Sequence, residues 1–153
     1  MKKKINEMDL KLPAISINEA VSRSVVSAFS AELDPTVEEL GDLRCAVSEA
    51  VTNCIVHAYK GRSASDPGYI YISVRLYDSR EITVEITDEG CGIEDIDLAR
   101  KPHFTGGESG ERCGMGFLVM ESFTDYLSVK SERGVGTTVL MRKKLTPVST
   151  EGR

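Results

Sequence analysis

Apolar residues recur at helical spacing through the middle of the N-terminal half. Val37, Leu40, Leu43, Val47, Ala50, Val51, Cys54 and Ile55 follow the three-four alternation of a helix with one buried face. Thr36-Val37-Glu38-Glu39 stands in front of it as a capping box. Asp34-Pro35 breaks an earlier helix, which Ser16-Ile17-Asn18-Glu19, another capping box, opens and which runs to about Leu33. Residues 5–12 partly alternate and suit an edge strand. Two runs rich in β-branched residues, 69–77 and 81–87, are joined by Asp78-Ser79-Arg80 and predict a hairpin. A short helix over about 115–123 precedes two closing strands, 126–131 and 136–142, which flank a turn at Glu132-Arg133-Gly134. Residues 61–68 form a polar loop with a Pro-Gly turn, and residues 88–105 are irregular apart from a short helix near 93–99. Helices and strands are partly segregated and the strands sit in hairpins. The fold class expected is α+β: a two-layer sandwich, one mostly antiparallel sheet with helices on one face. One domain covers residues 1–145, and a polar tail follows from 146 to 153.

The polar positions of the long helix carry the first functional signal. Glu49, Asn53 and His57 stand at i, i+4 and i+8, and at about 3.6 residues per turn they share one face. Packing needs only the apolar face, so this stripe meets solvent or a ligand. Asn53 offers a neutral carboxamide oxygen, suited to a hard Mg²⁺ held mostly by water and phosphates. Glu49, one turn earlier, is placed to act as a general base. Alone, either residue reads as a solvated helix face. His57 is expected to cap polar groups near the helix end rather than to join the site.

Two glycine motifs change that balance. Asp88-Glu89-Gly90-Cys91-Gly92 closes a strand, and its glycines permit a tight turn and close approach of backbone to a flat ring. A buried carboxylate there accepts a hydrogen bond from an exocyclic amine such as adenine's. Gly114-Met115-Gly116 precedes an apolar helix, whose first N–H groups attract phosphate, and Arg112 lies two residues before it. There is no GxxxxGK[ST] phosphate loop, and Gly90-Cys91-Gly92-Ile93 lacks the third glycine of a dinucleotide-binding turn.

Charge and cysteines narrow the class. Nineteen basic against twenty-four acidic residues give a net charge of −5, which disfavours non-specific nucleic-acid binding and suits protein partners. Cysteines 45, 54, 91 and 113 form no CxxC pair and no zinc spacing. Reduced cytoplasmic thiols are expected, with Cys45 and Cys54 on opposite helix faces. No apolar run approaches the roughly 18 residues of a membrane span. Met1-Lys2-Lys3-Lys4 is not followed by the apolar stretch of a signal peptide.

The order Glu49-x-x-x-Asn53-x-x-x-His57, Asp88-x-Gly90-x-Gly92, Gly114-x-Gly116, Gly136-Thr137-Thr138 resembles the Bergerat-type ATP site. That site belongs to the superfamily of gyrase, heat-shock chaperone, histidine kinase and mismatch-repair ATPases. Within it, "VSEAVTN", "HAY", "AELDPTVEEL", "DEGCGIEDIDLARKPHFT" and "ERCGMGFLVMESFTD" resemble the anti-sigma factor serine kinases, in particular their sporulation branch, over about residues 5–145. The resemblance implies a protein that binds Mg·ATP, sequesters a sigma factor of the sigma-F type, and phosphorylates a serine of an anti-anti-sigma factor. It implies Glu49 as the base, Asn53 as the Mg²⁺ ligand, Asp88 at adenine with Thr137 beside it, and Arg112 on the γ-phosphate. Gly90, Gly92, Gly114 and Gly116 would shape the pocket, Arg23 would grip protein partners, and the family's homodimer would be kept. The lid departs from the family, with Thr105-Gly106-Gly107-Glu108-Ser109-Gly110 where a lysine and fewer glycines are frequent. A general-stress anti-sigma kinase is the close rival, and an ATP-gated sigma-binding module without phosphotransfer is the rival of another class. A histidine kinase would need a phospho-accepting histidine helix, and neither His57 nor His103 sits in one.

Overall fold

The computed structural model describes residues 1–101 and 115–149 of the chain. Five antiparallel strands form one sheet in the order β1-β2-β3-β5-β4. They are β1 (Lys4–Pro13), β2 (Tyr69–Tyr77), β3 (Glu81–Asp88), β4 (Tyr126–Glu132) and β5 (Gly136–Lys144). β1 is an edge strand, and β2–β3 and β4–β5 are the two hairpins, as their patterns predict.

Alternation decides which side of the sheet is covered. Ile70, Ile72, Val74 and Leu76 of β2 are buried with Ile82, Val84 and Ile86 of β3 and Val139 and Met141 of β5. The intervening residues of β2 (Tyr71, Ser73, Arg75, Tyr77) are only half-buried. The covered face carries the helices α1 (Ile17–Ser30) and α2 (Val37–Asn53), the short α3 (Ile96–Ala99), and α4 (Gly116–Phe123). From α2, Leu43, Ala46, Val47, Ala50 and Val51 enter this core, almost without exposure.

Thr36 and Glu39 form the expected capping box: Thr36 Oγ1 accepts from Glu39 N–H (3.1 Å) and Glu39 Oε2 accepts from Thr36 N–H (2.9 Å). The Ser16 box does not form. Ser16 has helical backbone angles and its hydroxyl makes no cap bond, because the chain already turns at Ile15, whose carbonyl takes Asn18 N–H. Val37 is also exposed rather than core, since it lies on the outer side of the first turn. The helix opened near Ser16 ends at Ser30 and continues as a 3₁₀ turn, Ala31–Leu33, before Asp34 adopts a left-handed conformation with φ 51°.

Glu39 has a second role. Its Oε1 accepts from Thr146 N–H at 2.7 Å, tying the chain after β5 to the start of α2. Burial works to raise this carboxyl, but the bonds from Thr146 and Thr36 outweigh it and hold the pKa at about 2. The native value lies below the ordinary 4.5, so this contribution to stability is complete above that value and is lost as pH falls through about 2. Glu39→Ala should cost about 1–3 kcal/mol at neutral pH. In urea unfolding, the gap from wild type should shrink steadily as pH falls toward 2. A gap of constant size would remove the carboxylate's charge from the account.

Candidate functional site

α2 does not end as an α-helix. After Asn53 it widens into a single π turn, Cys54–Ala58, a distortion found mostly at functional sites. The turn presents the Ala58 carbonyl to the Asp88–Gly92 segment, where it accepts from Cys91 N–H at 2.8 Å. Cys91 O in turn accepts from Gly134 N–H at 2.8 Å, in the turn between β4 and β5. The segment after β3 is therefore clamped between the end of α2 and the β4–β5 turn.

The glycines make the clamp possible. A Cβ on Gly90 would lie 2.2 Å from the Ala58 carbonyl oxygen. Gly92 combines a φ of +76° with a position where a Cβ would meet Glu132 O at 2.3 Å. Tyr59 adds a third fastening: its hydroxyl accepts from Glu89 N–H at 2.8 Å and donates to Tyr69 O. Ser131 supplies a fourth, its Oγ accepting from Ile93 N–H at 2.7 Å. Gly90→Ala must push one clamped segment off the other, at a cost of about 1–3 kcal/mol. Calorimetry should show a lowered unfolding midpoint and a titration at least a tenfold weaker nucleotide affinity; wild-type values of both would show that Gly90 is not held by this contact.

The clamp fixes Asp88, which ends β3 and is 6% exposed. Its Oδ1 accepts from the N–H groups of Gly90 (3.0 Å) and Thr137 (3.2 Å). Its Oδ2 accepts from the thiol of Cys54, with Sγ at 3.6 Å. Burial raises the Asp88 carboxyl above its ordinary range, and the three hydrogen bonds oppose that rise. Burial, then the charge of Asp88, pushes the Cys54 thiol well above its ordinary value, so it remains S–H and donates.

Asp88 looks into a cleft of about 1700 Å³ between α2, α4 and the sheet. Glu49, Asn53, Cys54 and His57 form one wall. Ile86, Val129, Val139 and Phe117 give apolar surface suited to a flat ring. At the far end α4 begins against the polar stripe: a Cβ on Gly116 would stand 3.2 Å from Glu49 Oε2 and 3.5 Å from Asn53 Oδ1. The first N–H groups of a helix have no helical partners. One cleft thus gathers Glu49, Asn53, Asp88, Gly92, Gly116 and Thr137 from five elements and loops. His57 is exposed and lines the same wall, contrary to its expected capping role. Arg23 is elsewhere, on α1, with Nε 3.6 Å from Glu19 Oε1. Arg112, Gly114, Cys113, His103 and the glycine-rich 106–110 stretch lie outside the described residues.

Residues 13–143 match the model of the histidine kinase-like ATPase domain. The "Anti-sigma F factor" of Clostridium acetobutylicum is 48% identical over 139 residues, which are 91% of this chain and 94% of that protein. The "Anti-sigma F factor" of Caldanaerobacter subterraneus subsp. tengcongensis is 51% identical, over 90% of this chain and 93% of its own length. This chain belongs to the anti-sigma F factors of the histidine kinase-like ATPase family. Among solved structures, the RsbU and RsbW domains of a Mycobacterium tuberculosis protein align with a TM-score of 0.67 at 16% identity, covering 94% of this chain and 34% of that one. The blue-light activated histidine kinase of Erythrobacter litoralis aligns at 0.56 with 26% identity, over 73% of this chain and 32% of that one. The α+β sandwich expected from the sequence is the fold of this family. An anti-sigma F factor of this kind carries an ATPase domain and binds ATP. Among the described residues no helix is long and apolar enough to cross a membrane.

The sequence pointed to most of the cleft but missed Cys54, Ala58, Tyr59 and Ser131. Cys54 was assigned to the core face on periodicity, which is correct for its burial and silent about its thiol. Ala58 acts through its carbonyl, which no side-chain pattern reports.

Proposed function

We propose that this protein is an ATP-dependent protein serine kinase and a cytoplasmic, homodimeric anti-sigma factor. It holds a sigma factor of the sigma-F type inactive and phosphorylates a serine of the anti-anti-sigma factor that would release it. The observation that carries this reading is the meeting of Glu49 and Asn53 with the start of α4 at one end of a cleft whose other end is Asp88. Nucleotide binding alone does not need a carboxylate beside a phosphate-binding helix start. The names of the relatives support the sigma-F assignment.

In this reading Asp88 accepts from the adenine amine, with Thr137 beside it, and Gly90 and Gly92 let the backbone approach the ring. Gly116, with Gly114, opens the helix start to the phosphates, and Arg112 meets the γ-phosphate. Among the described residues no group of three or more His, Cys, Asp or Glu could hold a metal alone. Asn53 Oδ1 and the neighbouring carboxylate are oxygen donors, a set that fits a Mg²⁺ held chiefly by phosphates and water. When bound, Mg²⁺ would neutralise phosphate charge. Glu49 takes the proton of the serine hydroxyl as its oxygen bonds to the γ-phosphorus and the bond to the departing ADP breaks. Arg23, away from the cleft, grips the protein partners.

The test is transfer of γ-labelled phosphate from Mg·ATP to the purified anti-anti-sigma protein. Label on a serine of that partner is the expected result. No label despite ATP binding would replace this reading with an ATP-gated sigma-binding module.

A further inference from the structure

Asp88 has few places left for a ligand. An ionised carboxylate offers about four lone-pair positions. Both on Oδ1 are occupied, by the N–H groups of Gly90 and Thr137. One on Oδ2 is occupied by the thiol of Cys54, which reaches it from α2. Both Cys54 and Asp88 line the cleft, so the remaining position on Oδ2 is the one a ligand can use.

We propose that Cys54 is a positioning residue for base selection: its thiol fills the second site on Asp88 Oδ2, excludes water there, and leaves a single fixed acceptor that admits a 6-amino purine and rejects a 6-oxo purine. The proposal rests on the reading of this cleft as a nucleotide site. Its physical basis is the difference between a thiol and a water. The thiol is covalently fixed to α2 and spends its one proton on Asp88, so nothing at this spot can turn and donate to a carbonyl. A water in the same space donates or accepts as required. With an alanine at 54, the vacated volume adjoins a buried carboxylate short of one donor, which is a polar and roomy place for water. A 6-oxo ring would then find a bridging donor where it otherwise meets a bare carboxylate oxygen. The amine of adenine would compete with that water for Oδ2.

The experiment compares ATP with ITP, which replaces the amine by a carbonyl, on wild type, Cys54→Ala, Cys54→Ser and Asp88→Asn, by calorimetric titration of the full chain. Wild type should prefer ATP. Cys54→Ala should narrow the ATP/ITP affinity ratio about five- to tenfold, the scale of one hydrogen bond. Cys54→Ser should restore the ratio, because its hydroxyl donates from the same place. A Cys54→Ala ratio equal to wild type, or equal losses for both nucleotides, would overturn the proposal and leave Cys54 a packing residue. If alanine fails to fold, a serine variant that loses the ratio overturns it equally. Asp88→Asn separates the two levels: an unchanged ratio in that variant would strike the nucleotide reading of Asp88 itself, whereas a lost ratio there with a retained one in Cys54→Ala strikes only the role of Cys54.

Discussion

Glu49→Gln should lower phosphate transfer to the anti-anti-sigma protein by about 10²–10⁴-fold while leaving ATP affinity near wild type. That range is the usual worth of a positioned general base. The substitution keeps the shape and the contact with the start of α4, where Gly116 approaches Oε2. It removes only the ability to take a proton. Single-turnover transfer, with nucleotide affinity measured on the same preparation, checks the split. Transfer at the wild-type rate would take Glu49 out of the chemistry. A matched loss of affinity and rate would make it a binding residue instead.

Asp88→Asn should have the opposite signature. The amide oxygen still accepts from Gly90 and Thr137, so the clamp survives. The other end of the side chain becomes a donor and faces the donor on the base. A loss of about 10–100-fold in ATP affinity is expected, the cost of a mispaired buried polar group. Stability moves differently. Burial holds the Asp88 carboxyl above its ordinary value, so the native state binds that proton more tightly than the unfolded chain. The penalty is absent well below the ordinary carboxylate range, grows as pH rises through it, and is complete above the raised native value. At neutral pH, neutral asparagine escapes it. The nucleotide-free variant should therefore unfold at a midpoint no lower than wild type. Wild-type ATP affinity would remove the adenine assignment, and a large drop in the midpoint would mean that the charge itself holds the clamp.

The two behaviours explain which parts of the molecule could be read from the chain. Strand pairing in the hairpins and the buried stripe of α2 depend on spacing between near neighbours, and these were legible. So was the Glu49–Asn53 face, which needs only helical geometry. The Ser16 cap was misread because a nearby backbone turn competes for the same N–H groups, and composition does not rank the two. The burial of Glu39 was missed because one of its partners, Thr146, is 107 residues away. The π turn has no sequence signature, since its cause is the backbone contact between Ala58 and Cys91 across the fold. The Asp88 motif was legible as a carboxylate between glycines; the thiol that completes it comes from a helix 34 residues earlier.

The π turn also bears on how this helix tolerates changes of length. Such a turn houses one residue more than an α-helical path of the same rise. Losing one residue near the exposed Val56 would let α2 run straight to its end, an outcome that helical propensity alone would favour. Everything beyond the deletion would then rotate by about 100° around the axis. The carbonyl that anchors the Asp88 segment would swing away from its partner. In this chain a perfectly regular helix is the defective one, and the surplus residue is what keeps two distant stretches of the sequence in phase.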